Sequence, residues 1–255
     1  MDKKLRIGVA ALALAVALGA TGCTRVELSP GDFGYIPRSE SNPASSSESV
    51  ELLDAEEAQV SIRMGAGELS VDSGAGLKRL MEAEFEWFHD ELRPTISHNA
   101  SGGHAELTIE QVDEGMTLWP SGQVRSIWEI ALSDTVPIDL EIDLGAGEAD
   151  LLLGELNLSD LDVDLGAGRV TIDLAGVDYD LNADINAGVG ELELRVPADI
   201  GVRVSGRNAG LGDFKADGFT GDGDSWINPA WDGSETQLDI DLNRGVGTVT
   251  LELVD

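Results

Sequence analysis

The sequence predicts an all-β fold, a β-solenoid of roughly 21–22-residue coils that turn at Gly-x-Gly corners. Three observations carry this. First, Gly145-Ala146-Gly147, Gly166-Ala167-Gly168 and Gly188-Val189-Gly190 begin 21 and 22 residues apart. A repeat of that length marks a stacked, quasi-one-dimensional β architecture. Second, each Gly-x-Gly lies between two alternating apolar and polar segments, the pattern of half-buried strands. Third, Gly is abundant and aromatics are few, which suits strands and turns better than helices.

From Val136 onward the alternation is regular. Ile138, Leu140, Ile142 and Leu144 form one inward set, followed by Leu151 and Leu153. Leu161, Val163 and Leu165 lead to Val170, Ile172 and Leu174, and the same rhythm returns through Leu192 to Val196, Val202 and Val204, Leu238 to Leu242, and Val249 to Leu253. The apolar parity changes across each Gly-x-Gly: Leu144 to Ala149 is an odd step of five residues. A strand that simply continued would turn its core face to water, so the chain must bend or bulge there. Glycine supplies the backbone freedom for such a corner without any ligand.

Before this region, Val60 to Met64, Gly65-Ala66-Gly67 and Glu68 to Val71 form an early strand–turn–strand unit. Met81, Ala83, Phe85 and Trp87 alternate with Glu82, Glu84 and Glu86, and shorter strand candidates run Thr95 to Ser97, Ala105 to Ile109 and Ile127 to Leu132. Residues 59–137 therefore read as an N-terminal β region holding Trp87, Trp119 and Trp128, continuous with the repeat region 138–255.

The N-terminus reads as an export signal. Lys3, Lys4 and Arg6 precede the apolar run Ile7 to Ala20, too short to span a bilayer core of roughly 30 Å. Ala20-Thr21-Gly22-Cys23 then resembles the bacterial lipobox, in which small residues precede a cysteine that is lipidated. The alternative is an ordinary cleaved signal with an accidental cysteine. Cys23 is the only cysteine, so a disulfide within one chain is excluded. Residues 1–22 are thus a lipoprotein signal peptide, and residues 23–58, rich in Ser, Pro and Glu, a flexible tether. The expected location is the bacterial cell envelope, with the membrane as partner through the lipid anchor.

The formal charge is −32, or −34 once residues 1–22 are removed. Nucleic acid is an unsuitable partner, because binding it requires clustered Lys and Arg. The Gly-x-Gly phrases lack the third glycine and following helix of a dinucleotide fingerprint, so nucleotide binding is rejected as well.

The phrases Leu140 to Gly147, Leu161 to Leu174, Glu191 to Pro197 and Gly245 to Val249 resemble those of the bacterial toast-rack family. That family is related to candidate surface adhesins and to the C-terminal domain of cell-wall-stress response regulators. The resemblance covers roughly Val60 to Asp255 and implies a β-solenoid or flattened β-sandwich body. It assigns no activity. The chain departs from the stress regulators in carrying a lipobox where they have transmembrane helices, which puts direct signalling to the cytoplasm in doubt.

Two places are candidates for chemistry. Counting back four residues from Gly145, Gly166 and Gly188 gives Glu141, Asp162 and Asp184; counting back two gives Asp143, Asp164 and Asn186. If coils stack in register about 4.8 Å apart, these become carboxylate ladders. Such ladders are either screened by solvent or associate weakly with cations such as Ca²⁺ or Na⁺. Asp160, Asp162 and Asp164 fail as a calcium loop, since Gly166 comes one place too late and Leu161 and Val163 alternate as core residues. The second candidate is the insertion between Gly212 and Leu238, with Asp222, Asp224, Trp226 and Trp231. Trp beside Asp suits either a partner contact or an end cap over the stacked strands. His89, His98 and His104 have no zinc-site spacing, and no Gly-x-Ser-x-Gly elbow or Walker loop occurs, so no catalytic residue and no cofactor are expected.

The functional expectation is a non-enzymatic, lipid-anchored surface protein, adhesin-like or envelope-sensing, with an unknown extracellular partner. The alternatives are a structural spacer and a carbohydrate-active β-helix enzyme.

Overall fold

The structure is a computed structural model that describes residues 43–74, 78–111, 126–206 and 210–255. Cys23, the signal segment and Trp119 lie outside these residues. The described region is all-β. Its strands are β1 (Ala44–Glu51), β2 (Glu57–Ser73), β3 (Arg79–Trp87), β4 (Pro94–Ser101), β5 (His104–Gln111), β6 (Ser126–Leu132), β7 (Ile138–Leu152), β8 (Leu158–Asp173), β9 (Leu181–Pro197), β10 (Gly201–Ser205), β11 (Phe214–Ala216), β12 (Thr220–Gly221), β13 (Ser225–Ile227) and β14 (Gln237–Val254). One short 3₁₀ turn, Asp90–Leu92, follows β3. Among the described residues no helix is long and apolar enough to cross a membrane.

Five long strands build the centre in the order β2-β7-β8-β9-β14, all parallel and each containing one Gly-x-Gly. Leu140 lies opposite Leu161 and Leu161 opposite Ala183, so the pairing offsets follow the spacing of the glycines. The glycines themselves align: Gly67, Gly147, Gly168, Gly190 and Gly247 form one row across the sheet. At Gly168 the backbone has φ +147°, and a Cβ built there would lie 1.7 Å from the carbonyl oxygen of Gly147. Successive backbones approach so closely at the corner that only glycine fits.

The corner divides each long strand into two halves. β7, β8 and β9 keep the same neighbours on both sides of the corner, whereas the two outermost of the five, β2 and β14, change their outer neighbour there. The first half of β2 pairs with β5 and its second half with β6; the first half of β14 pairs with β10 and its second half with β11. Inward side chains from both halves, such as Leu140 and Leu151, belong to one buried apolar cluster. The parity change read from the sequence thus keeps both halves facing the same core. Leu165 and Leu253, expected inside, are only half-buried at its margin.

The tether reading of residues 23–58 requires correction at its C-terminal end. Ala44–Glu51 forms β1, antiparallel to β3, and β2 already begins at Glu57. In β1 only Val50 is buried, so main-chain pairing orders a segment with almost no apolar periodicity to reveal it. The two β regions also merge: Ala58 pairs with Ile138, which places β2 directly beside β7 in the repeat register.

Candidate functional site

Side chains opposite the core on the first half of the sheet form the most regular polar surface. Register places Ser61, Glu141, Asp162, Asp184 and Asp241 in one row, and Arg63, Asp143, Asp164, Asn186 and Asn243 in the next. The sequence-predicted acidic residues therefore do lie side by side. Alternation positions them, since each is preceded and followed by an inward residue such as Leu140, Ile142, Leu161 or Val163.

The rows are not uniformly acidic. Ser61 Oγ donates a hydrogen bond to Glu141 Oε2 at 2.5 Å, and Arg63 Nη2 donates to the same oxygen at 2.9 Å. These contacts, the serine hydroxyl first, hold the Glu141 carboxyl below its ordinary pKa. Asp162 moves the other way. Desolvation, followed by repulsion from Asp164, Asp184, Glu141 and Asp160, raises its pKa. In the second row, Asn243 Nδ2 donates to Asn186 Oδ1 at 3.1 Å. A shallow groove runs beside this row, walled by Asp143, Asp164, Asn186 and Asn243 and floored by Gly145, Gly166, Gly188 and Gly245. Among the described residues no group of three or more His, Cys, Asp or Glu side chains is arranged to hold a metal ion.

Counting back four and two from Gly65 and Gly245 would have found Ser61, Arg63, Asp241 and Asn243 by the same rule that found the acids.

The Trp-containing insertion lies at one end of the sheet. Trp226 sits on β13, which pairs antiparallel with β10 and β12, and its ring packs on Phe214 with centroids 4.2 Å apart. The Arg244 guanidinium lies 5.2 Å from the Phe214 ring, and that of Arg203 4.9 Å from the Trp231 ring. Asp222 Oδ1 accepts the backbone N–H groups of Asp224 and Ser225, forming an Asx turn. Both tryptophans are half-buried in these contacts, and the segment extends the sheet beyond β10. Asn228, which periodicity does not single out, is buried at its base. Its Oδ1 accepts from Val202 N–H at 3.0 Å and its Nδ2 donates to the Ile200 carbonyl at 2.8 Å.

His104 Nδ1 lies 3.4 Å from Glu57, while His89 borders the 3₁₀ turn and His98 is exposed on β4. These three are dispersed.

A structure of a candidate cell adhesion protein from Clostridium sporogenes superposes with a TM-score of 0.76 at 24% identity, covering 84% of this chain and 100% of that one. That likeness shows a shared fold. A candidate adhesin from Bacteroides fragilis covers 82% of this chain and 97% of its own at 10% identity, with a TM-score of 0.27, too low to carry an argument. No curated protein matches the chain. The N-terminal domain of toast-rack matches residues 38–195, more than half of the sequence and four of the five long strands. The chain belongs to the toast-rack family.

Proposed function

We propose that this protein is a non-enzymatic surface module, held to the bacterial envelope by a lipid on Cys23, that uses its outer sheet face for adhesion or envelope sensing. One observation carries the reading: the polar side chains buried in the body are few and most are engaged within the fold, Trp87 Nε1 and Gln111 Nε2 being the described buried side-chain atoms without a hydrogen-bond partner. The buried polar residues Ser61, Ser126, Ser133 and Asn228 each hydrogen-bond to a neighbouring group of the fold. The remaining described polar chemistry is spread along repeated outer rows, as on a scaffold, and the depressions it lines are open ones on that surface, beside Asp143 and Asp164 and between Asp72, Arg79, Glu82 and Glu129. The aligned glycines and the offsets of 21 and 22 residues support treating β7, β8 and β9 as successive solenoid coils. The shared fold of the Clostridium protein supports the adhesive reading by analogy alone. Any Ca²⁺ association would be weak and spread along the Asp162 and Asp164 rows.

The test is expression of the full chain, and of Cys23→Ser, in a bacterial host supplied with radiolabelled palmitate. The wild type should carry label and fractionate with membranes, and Cys23→Ser should do neither. The same cells are then scored for retention on peptidoglycan-coated and mucin-coated surfaces. Wild-type cells held no better than cells lacking the protein would sink the adhesive reading. Release of reducing ends from either coating would replace it with an enzymatic one.

A further inference from the structure

Strand β1 is joined to the body differently from the five long strands, which run parallel to one another. It lies on the outer edge of β3, antiparallel, with Ser45 opposite Glu86, Ser47 opposite Glu84 and Ser49 opposite Glu82. Only Val50 of its eight residues is buried. Its hold on the body is therefore mostly main-chain hydrogen bonding, with little apolar area to resist detachment. The linker that follows is strained. Leu53 has φ +54° and is the described non-glycine residue with positive φ, and its side chain is 66% exposed. A leucine held there loses on both counts, through its backbone conformation and through its apolar surface in water. Beyond it, the N–H groups of Glu56 and Glu57 both donate to the Gly103 carbonyl, so the linker is the turn Leu52 to Ala55, closed by the Ala55 N–H donating to the Leu52 carbonyl at 3.3 Å.

We propose that β1 exchanges between two copies of this chain, each inserting its Ala44–Glu51 against β3 of the other. The edge selects this occupant. Glu82, Glu84 and Glu86 present a row of carboxylates, and β1 meets it with the uncharged Ser49, Ser47 and Ser45, whereas the outward positions of β7 or β8 would bring Asp139, Glu141 and Asp143 or Asp160, Asp162 and Asp164. A second copy's β1 offers the same serine row, the same Val50 and the same Glu51–Arg79 ion pair. Every contact between β1 and β3 is thus kept on exchange, and the difference lies in the linker, where extension of residues 52–55 opens the Ala55–Leu52 turn and takes Leu53 out of the left-handed region. Exchange depends on β1, β3 and this linker alone. It is independent of lipidation and of whatever the outer face binds.

Two singly substituted full-length chains, Ser47→Cys with one tag and Glu84→Cys with another, are co-expressed and oxidised. Directly opposed strand residues lie within reach of a disulfide. In closed monomers these two cysteines sit on different molecules at separated places, whereas in an exchanged dimer they face each other. The expected result is a covalent heterodimer carrying both tags on non-reducing gels, well above that given by Ser47→Cys with Asp160→Cys on the distant strand β8. Cys23 is common to both mixtures, so it cancels. Adding Leu53→Gly to both chains relieves the strain of the closed linker and should lower the yield by roughly fivefold or more. A Ser47→Cys/Glu84→Cys yield no higher than the Asp160→Cys control would overturn the proposal, and so would a yield unchanged by Leu53→Gly.

Discussion

Gly168 and Gly233 show how differently one residue type can be used. Gly168 has φ +147° and backbone oxygen where its Cβ would be, while nothing lies within 4 Å of a Cβ at Gly233. Gly168→Ala must move two strands apart or distort the corner, so it should cost at least about 3 kcal/mol or prevent folding. Gly233→Ala should stay within about 0.5 kcal/mol of wild type. Denaturant unfolding of the two variants side by side checks this. At Asn228, truncation to Ala leaves the Val202 N–H and the Ile200 carbonyl buried without their partners, an expected loss of about 1–3 kcal/mol in the same measurement. Asp162 carries the pH argument. Its raised pKa means that the folded state holds the proton more tightly than the unfolded chain. Between the unfolded pKa and the raised folded one, stability falls as pH rises, and the penalty is fully present at neutral pH. Glu141, lowered, has the opposite sign: its contribution is present above the unfolded pKa and is lost on acidification through the folded one. Asp162→Asn should therefore raise the melting temperature at pH 7 in low salt, with the gain disappearing near pH 3. A variant no more stable than wild type at pH 7 would show that solvent already screens the row.

At the scale of elements, the corners and inward positions were legible because they obey short-range rules. Alternation named Leu140, Ile142, Val163 and Ile172 as core, and the parity step across Gly145 to Gly147 required a bend. β1 was not legible, since Ala44 to Glu51 has one buried apolar residue and owes its order to the edge of β3. The turns between coils show a repetition the glycine spacing only hints at. Leu156 N–H donates to the Leu153 carbonyl, and Val177 N–H to that of Leu174, in successive turns of the same form. Tyr179 ties them together: its hydroxyl donates to the Leu156 carbonyl at 2.7 Å and receives the Leu158 N–H at 2.8 Å. Tyr179→Phe removes both bonds at a part-buried site, for an expected loss of about 1–2 kcal/mol. Hydrogen exchange should then quicken around residues 153–158 and leave the amides of β2 unchanged. Uniform acceleration would mean that the stack opens only as a whole.

Across the whole molecule, strand order departs from chain order where the sequence offers no local signal. β2 pairs with β7 at an offset of 80 residues, and β14 fills the place between β9 and β10 at an offset of 57 from β9. Nothing in the spacing of Gly65 or Gly245 tells that these corners join the central row; only their common phrase does. Stacking them also stacks their charges, so the net −32 is partly gathered into neighbouring rows on one face. Folding concentrates carboxylates that the unfolded chain keeps apart, and salt must favour the folded state through screening, with a Debye length of about 10 Å at 0.1 M. The distinction between screening and site binding then rests on the rest of the row: Glu141 is already engaged by Ser61 and Arg63, which leaves Asp162, Asp184 and Asp241 as three adjacent carboxylates along the sheet face. Thermal unfolding of the full chain should accordingly rise with NaCl, and CaCl₂ at matched ionic strength should give a shift of similar size. A larger rise with Ca²⁺ that disappears in Asp162→Asn would instead make this row a cation site, and the outer face would become a calcium-stabilised surface.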